Sequence, residues 1–270
     1  MIPTRLVIVL CLLLLPGATA HAANIDVVGD LLKEATVQPG GKSEGRIGIV
    51  NRSDTAQQVK VYQTDYLYTS DGKSTYGAPG SAARSNASWI TIAPKELVIP
   101  PKTQSEVYYT IQVPDNKDLS GSYWSVLMVE PVAADVLQPK VTGEGAVAIG
   151  MRTISRYAVE IITQIGETGK REIKFIGKRA VVVDGKSVLQ LDVANTGEYW
   201  LRQTARVDLY DATGAYVGRF ESHRGHILPG CSSRCSVDLS GVTAGKYKAL
   251  VVVDNGDQYV WGAQYDLDIQ

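Results

Sequence analysis

The sequence predicts an all-β protein made of two β-sandwiches in tandem, and three observations carry that expectation. No stretch of a dozen residues places apolar side chains at i, i+3, i+4 and i+7, the mark of a helix packed on a core. Short runs rich in β-branched and aromatic residues recur instead, separated by clusters of Gly, Pro, Asn and Asp. The chain has 270 residues. Without an N-terminal export segment roughly 245 would be left, a length that suits two modest cores.

The export segment is read from the first 22 residues. Arg5 supplies a positive charge, Leu6 to Leu15 is an unbroken apolar run, and Pro16-Gly17 closes it before the small-x-small sites Ala18-Thr19-Ala20 and Ala20-His21-Ala22. Cleavage there would remove Cys11. The run is shorter than the roughly 20 apolar residues a membrane-spanning helix needs, and nothing later approaches that length. The expectation is a chain with no transmembrane segment, placed in the periplasm or at the cell surface. Without Arg5 the balance is 26 basic against 28 acidic residues. That balance excludes a nucleic-acid partner, which would need a concentrated basic face.

The first domain is expected over residues 23–165. Strands are predicted at Arg46 to Asn51, Gln58 to Tyr66, Ser88 to Ile92, Ser105 to Val113 and Tyr123 to Val129, with turns such as Gln38-Pro-Gly-Gly41 and Ser70-Asp-Gly-Lys73 between them. Residues 77–87 and 133–144, rich in Ala, Gly, Ser and Pro, read as long loops. Gly145 to Thr163 is an unusually long strand. Its odd positions Val147, Ile149, Met151, Tyr157, Val159 and Ile161 are apolar, while Arg152, Arg156 and Glu160 fall on the even side, and Ile154 breaks the alternation where a bulge would fit. This strand is either the last of its domain or an edge that offers its backbone and alternate apolar side chains to a partner.

Gly166 to Lys170 marks the boundary, and residues 170–270 form the second domain. Strands are predicted at Arg171 to Val183, Ser187 to Ala194, Ala205 to Asp211, Tyr216 to Glu221, Ser233 to Leu239, Lys246 to Asp254 and Gln258 to Ile269. Asp184-Gly185, Asn195-Thr-Gly197 and Asp211-Ala-Thr-Gly214 are hairpin signals. Short strands at this spacing point to immunoglobulin-like sandwiches in both halves.

No motif for catalysis or for a cofactor is present: there is no G-x-S-x-G, no H-E-x-x-H and no Gly-rich phosphate loop. The sequence therefore predicts a protein that is not an enzyme. Cys231 and Cys235, four residues apart in an exported chain, predict a local disulfide. The alternative is a zinc array with His223 and His226. Asp254-Asn-Gly-Asp257 is a hairpin turn, with calcium binding as its alternative. Trp89, Trp124, Trp200 and Trp261 are expected as core or interdomain anchors. Of Tyr62, Tyr66 and Tyr68 at least one should be exposed.

The segments Gly45 to Asp54, Ser88 to Pro94, Val98 to Val107 and Gly121 to Pro131 follow one another in an order that resembles the N-terminal domain of the PapD-like periplasmic pilus chaperones. The resemblance spans about residues 36–165. It implies that the strand over 145–163 complements a pilin subunit, with Val147, Ile149 and Met151 as the donated side chains. That family also holds a subunit carboxylate with an Arg near the mature N-terminus and a Lys in the long strand. Here residues 24–36 hold Lys33 but no Arg, and Arg152 and Arg156 are the basic residues of the long strand. A second resemblance, to WxL-interacting-type surface proteins, rests on Leu228 to Cys231, Asp238 to Gly241, Ala244 to Leu250 and Trp261 to Ile269. The two imply either a chaperone-like protein that pairs with a secreted or fimbrial partner, or a surface module that binds peptidoglycan or another envelope protein.

Overall fold

The computed structural model describes residues 25–132, 141–142, 146–147 and 155–269. The chain forms two immunoglobulin-like β-sandwiches joined by a short connection, with one 3₁₀ turn at Ala87–Trp89 and no α-helix among the described residues.

In the first sandwich the strands are β1 (Ile25–Val28), β2 (Leu32–Val37), β3 (Lys42–Asn51), β4 (Gln57–Tyr68), β5 (Ser74–Gly77), β6 (Ile90–Ala93), β7 (Glu96–Ile99), β8 (Gln104–Gln112) and β9 (Gly121–Pro131). The two-residue strands β10 (Val141–Thr142) and β11 (Ala146–Val147) pair with each other, and β12 (Tyr157–Ile165) follows. One sheet runs β1-β3-β8-β6, the other β2-β12-β9-β4-β5 with β7 also on β4. The chain enters on one sheet as β1, turns at Gly29 (φ 86°), and crosses to the other as β2. There β2 lies parallel to β12, in register Leu32↔Glu160 through Val37↔Ile165.

The second sandwich has β13 (Ile173–Val183), β14 (Lys186–Asn195), β15 (Thr204–Tyr210), β16 (Tyr216–Glu221), β17 (Ser232–Asp238), β18 (Gly245–Asp254) and β19 (Val260–Ile269). Its sheets are β13-β14-β17 and β16-β15-β18-β19. The Asp184-Gly185 turn closes the β13–β14 hairpin with both residues at positive φ (50° and 77°), as the mirror-image hairpin turn requires.

Each sandwich fixes one turn with a buried asparagine. Asn51 donates through Nδ2 to the carbonyls of Thr55, Ile99 and Pro100 and accepts the Ser53 amide. Asn195 donates to those of Tyr199 and Ile227 and accepts the Gly197 amide. A short amide side chain can satisfy several buried backbone groups at once, which an apolar residue there would leave unpaired.

Two apolar clusters fill the molecule. One lies inside the first sandwich, around Ile47, Ile49, Val107, Leu127, Val159 and Ile161. The other fills the second sandwich, around Leu189, Leu191, Val207, Leu209 and Val251, and includes Trp124 and Ile162 from the first. Adjacent residues of β12 thus serve different cores, because successive side chains of a strand point to opposite faces. At the junction the backbones touch: a Cβ on Gly121 would lie 2.3 Å from the Glu198 carbonyl oxygen, and one on Gly169 would lie 2.4 Å from Gly121 Cα.

The disulfide expectation is corrected. Cys231 and Cys235 are free thiols, both buried in the second core. Cys235 lies within β17 and Cys231 directly precedes it. Four residues of extended chain span roughly 13 Å, well beyond the roughly 7 Å between Cα atoms that a disulfide tolerates. Burial pushes the Cys231 thiol up, and that of Cys235 up to about 11.

Candidate functional site

The site is built on the face that the β2-β12-β9-β4-β5 sheet turns toward the second sandwich. Where the two bodies meet, polar groups pair across the seam. The Trp200 amide donates to Ser122 Oγ (3.0 Å), the Ser122 amide to the Glu198 carbonyl (2.8 Å) and the Ser70 amide to Ser232 Oγ (2.9 Å). Gln164 Oε1 accepts the hydroxyls of Tyr199 and Thr36. The Tyr68 hydroxyl donates to the His226 carbonyl (3.0 Å) and accepts the Leu228 amide (3.2 Å). Burial pushes the Tyr68 phenol up, so it stays a neutral donor. With Trp124, Ile162 and Trp200 buried between these bonds, domain orientation is set by packing as well as by the linker.

Beside the seam the face opens into a groove of about 630 Å³, lined among others by Leu31, Ala158, Glu160, Trp200, Arg202 and His226. His226 Nε2 lies 3.0 Å from Glu160 Oε2, with its ring edge-on to those of Tyr68 and Trp200. Arg202 stacks over Trp200 (4.7 Å) and pairs with Glu34 (3.0 Å). Of the even positions of β12, Ala158 and Glu160 therefore face this groove, while Ile162 and Gln164 pack into the seam.

Beyond the groove the same face is aromatic. Tyr62, Tyr66 and Tyr68 share it, all half-buried; the exposed ring is Tyr76 of β5, stacked on Tyr66 at 5.0 Å. The expectation of an exposed ring among Tyr62, Tyr66 and Tyr68 failed because Tyr66 stacks on Tyr76 of β5, Tyr68 packs on the second core, and Tyr62 lies against Glu130 and Lys60. The register Tyr62↔Met128 and Met128↔Ala158 continues the surface across β9 to β12.

β12 is paired with β9 along its whole length. Its pairing with β2 begins at Glu160, so among the described residues Tyr157, Ala158 and Val159 have a strand on one side only. That open edge adjoins both the groove and the aromatic face.

Of the residues singled out from the sequence, Val147 lies in the short β11 pair, and Ile149, Met151 and Arg152 lie outside the described residues. Arg156 is exposed at the entrance to β12, 4.0 Å from Glu130. Burial pushes the Glu130 carboxyl up, but the Tyr62 hydroxyl (2.7 Å) and the cations Lys60 and Arg156 hold it below its usual range. The zinc alternative is not assembled: among the described residues no three His, Cys, Asp or Glu side chains come together. In the calcium alternative, Asp254 and Asp257 accept the Gly256 and Tyr259 amides of their own turn. Arg202 and Tyr76 were not identified from the sequence. Each is an ordinary surface type in its own strand context and acquires a role only from a distant neighbour.

No family model matches the chain, and no curated protein matches it. Among the described residues no helix is long and apolar enough to cross a membrane. Solved structures are similar in fold. A chain of the chaperone–tip adhesin complex of CFA/I fimbriae biogenesis is 12% identical, with 90% of this chain and 98% of that chain covered at a TM-score of 0.48. The class 5 fimbriae chaperone CfaA is 11% identical over the same shares at 0.47. A chain from the complex of Salmonella enterica SafA pilin with the SafB chaperone is 11% identical, covering 93% and 99% at 0.41.

Proposed function

We propose that this chain is an exported, non-enzymatic binding protein of chaperone type that takes up an extended segment of a secreted or fimbrial partner along β12. One observation carries the reading: among the described residues β12 has no second neighbour at Tyr157–Val159, where it borders the interdomain groove and the tyrosine face. Unpaired amides and carbonyls on a strand edge are met by a partner's backbone, while the flanking surface selects its side chains. The tyrosines suit that role, giving large contact area at low entropic cost. In this proposal Val147, Ile149 and Met151, upstream of the open edge, supply alternate apolar contacts, and Arg152 and Arg156 supply positive charge for a partner carboxylate. The domains are those at 23–165 and 170–270 after a cleaved signal, and the site of action is the periplasm or the cell surface.

The test is capture from native envelope extract by the mature protein, with mass spectrometry of what is retained. The proposal expects a pilin-type subunit, lost with Met151→Arg while circular dichroism stays unchanged. Retention of the same partner by Met151→Arg, or recovery of cell-wall fragments alone, would refute strand pairing here.

A further inference from the structure

A second bare edge lies on the other sandwich. β13 is the outer strand of its sheet, with β14 on one side and, among the described residues, no strand on the other. Near its middle Lys178 closes the corner of the sandwich: its Nζ donates to the Asp266 carbonyl (3.0 Å) and sits 4.5 Å from the Tyr265 ring centroid. Past that point the edge is bare. Ala180↔Leu189 and Val182↔Ser187 are cross-strand pairs, so Val182 shares a face with the fully buried Leu189. Yet Val182 is 61% exposed, with Val183 at 42% and Ile176 at 50%. A slot of about 30 Å³, room for about one water or methyl group, lies between Val182, Leu239 and Ile269.

A β-branched apolar edge with no Pro is a template for strand addition, and the usual blocking charges are absent from Ala180 to Val183. Charge selects the occupant. From Ile173 to Val183 the strand carries Lys174, Lys178 and Arg179 and no acid. Arg179 shares its charge with Asp192, whereas Lys174 has no ion pair among the described residues. Two copies meeting edge to edge would bring two such cationic strands together, and like charges opposed across a ladder are destabilising. We propose that the free edge of β13 binds an extended segment of another protein in which apolar and acidic residues alternate. The apolar residues would cover Val182, and the carboxylates, on the opposite face of the added strand, would lie toward Lys174 and Arg179.

The probe is a fluorescein-labelled, end-capped heptapeptide of alternating glutamate and valine, titrated by anisotropy with the mature chain. A lysine-valine peptide of the same length serves as control. The acidic peptide should bind saturably, at least about ten-fold tighter than the control, and weaken about ten-fold with Val182→Glu, a loss near 1.4 kcal/mol. Val182 is exposed, so that variant folds. No saturable binding, equal binding of both peptides, or indifference to Val182→Glu would overturn the proposal. Dimerisation of the free protein that Val182→Glu abolishes would give the edge to a second copy and overturn it equally. Met151→Arg separates this edge from β12: it should leave peptide affinity unchanged, and a loss would place the peptide at the groove.

Discussion

Ile162→Ala is the sharpest test of how the two sandwiches are joined. The side chain belongs by sequence to the first sandwich, but it is fully buried in the core of the second, with Trp124 and Trp200 in the same cluster. Removing three carbons from water-free surroundings forfeits about 2.4 kcal/mol at roughly 0.8 kcal/mol each. The cavity left behind raises the expected total to about 3 kcal/mol, within the usual range for such truncations. For a chain of this size each kcal/mol moves Tm by roughly 2–4 °C, so a fall of about 6–12 °C is expected. Differential scanning calorimetry of the mature protein reads this directly. If the core assignment is right, the second sandwich melts earlier, either as its own transition or by dragging a single shared one down. The neighbouring Ile161→Ala, which empties the first core, should weaken the first sandwich instead. A fall of less than about 2 °C with Ile162→Ala, or destabilisation of the first sandwich alone, would refute the shared core.

Two further expectations rest on single side chains. Arg234 hydrogen-bonds Asp192 through Nε (2.7 Å) and Nη2 (3.0 Å) and, together with Arg179, holds its carboxyl below the usual range despite burial. A lowered folded pKa contributes stability above the ordinary carboxylate value near 3.9, lost as pH falls through the folded value. Asp192→Asn should therefore cost about 2 kcal/mol at pH 7 and narrow its gap from wild type at pH 3; urea midpoints running parallel at the two pH values would contradict this. For the cysteines, alkylation followed by mass measurement of the mature chain should give no modification in the native state and two adducts after denaturation. A mass lacking both adducts would restore the disulfide.

Much of the fold was legible because its causes are local. Alternation along β3, β4, β8 and β9, and turn residues such as Asp184-Gly185, depend on neighbours a few positions away, so the strands stand where the pattern put them. β1, β2, β5 and β7 were missed. They are four to six residues long, and β2, Leu-Lys-Glu-Ala-Thr-Val, shows too few apolar positions to register. The two cysteines misled because sequence separation alone does not distinguish a turn from an extended strand, and only the pairing of β17 with β14 stretches them apart.

By itself the sequence determined the β class, the two sandwiches and the inward side of most strands, since a period of two and turn chemistry act at short range. The tertiary structure alone decided the site. The even side of β12, where the sequence places Arg152, Arg156 and Glu160, became an interface at Glu160 and Ile162 only when His226 and Trp200 arrived from the second sandwich. Among the described residues the edge at Tyr157–Val159 is open because the pairing with β2, more than 120 positions away, reaches only to Leu32. Which side chains meet across such separations is fixed by the summed packing of both cores, a global property to which no local stretch of sequence has access.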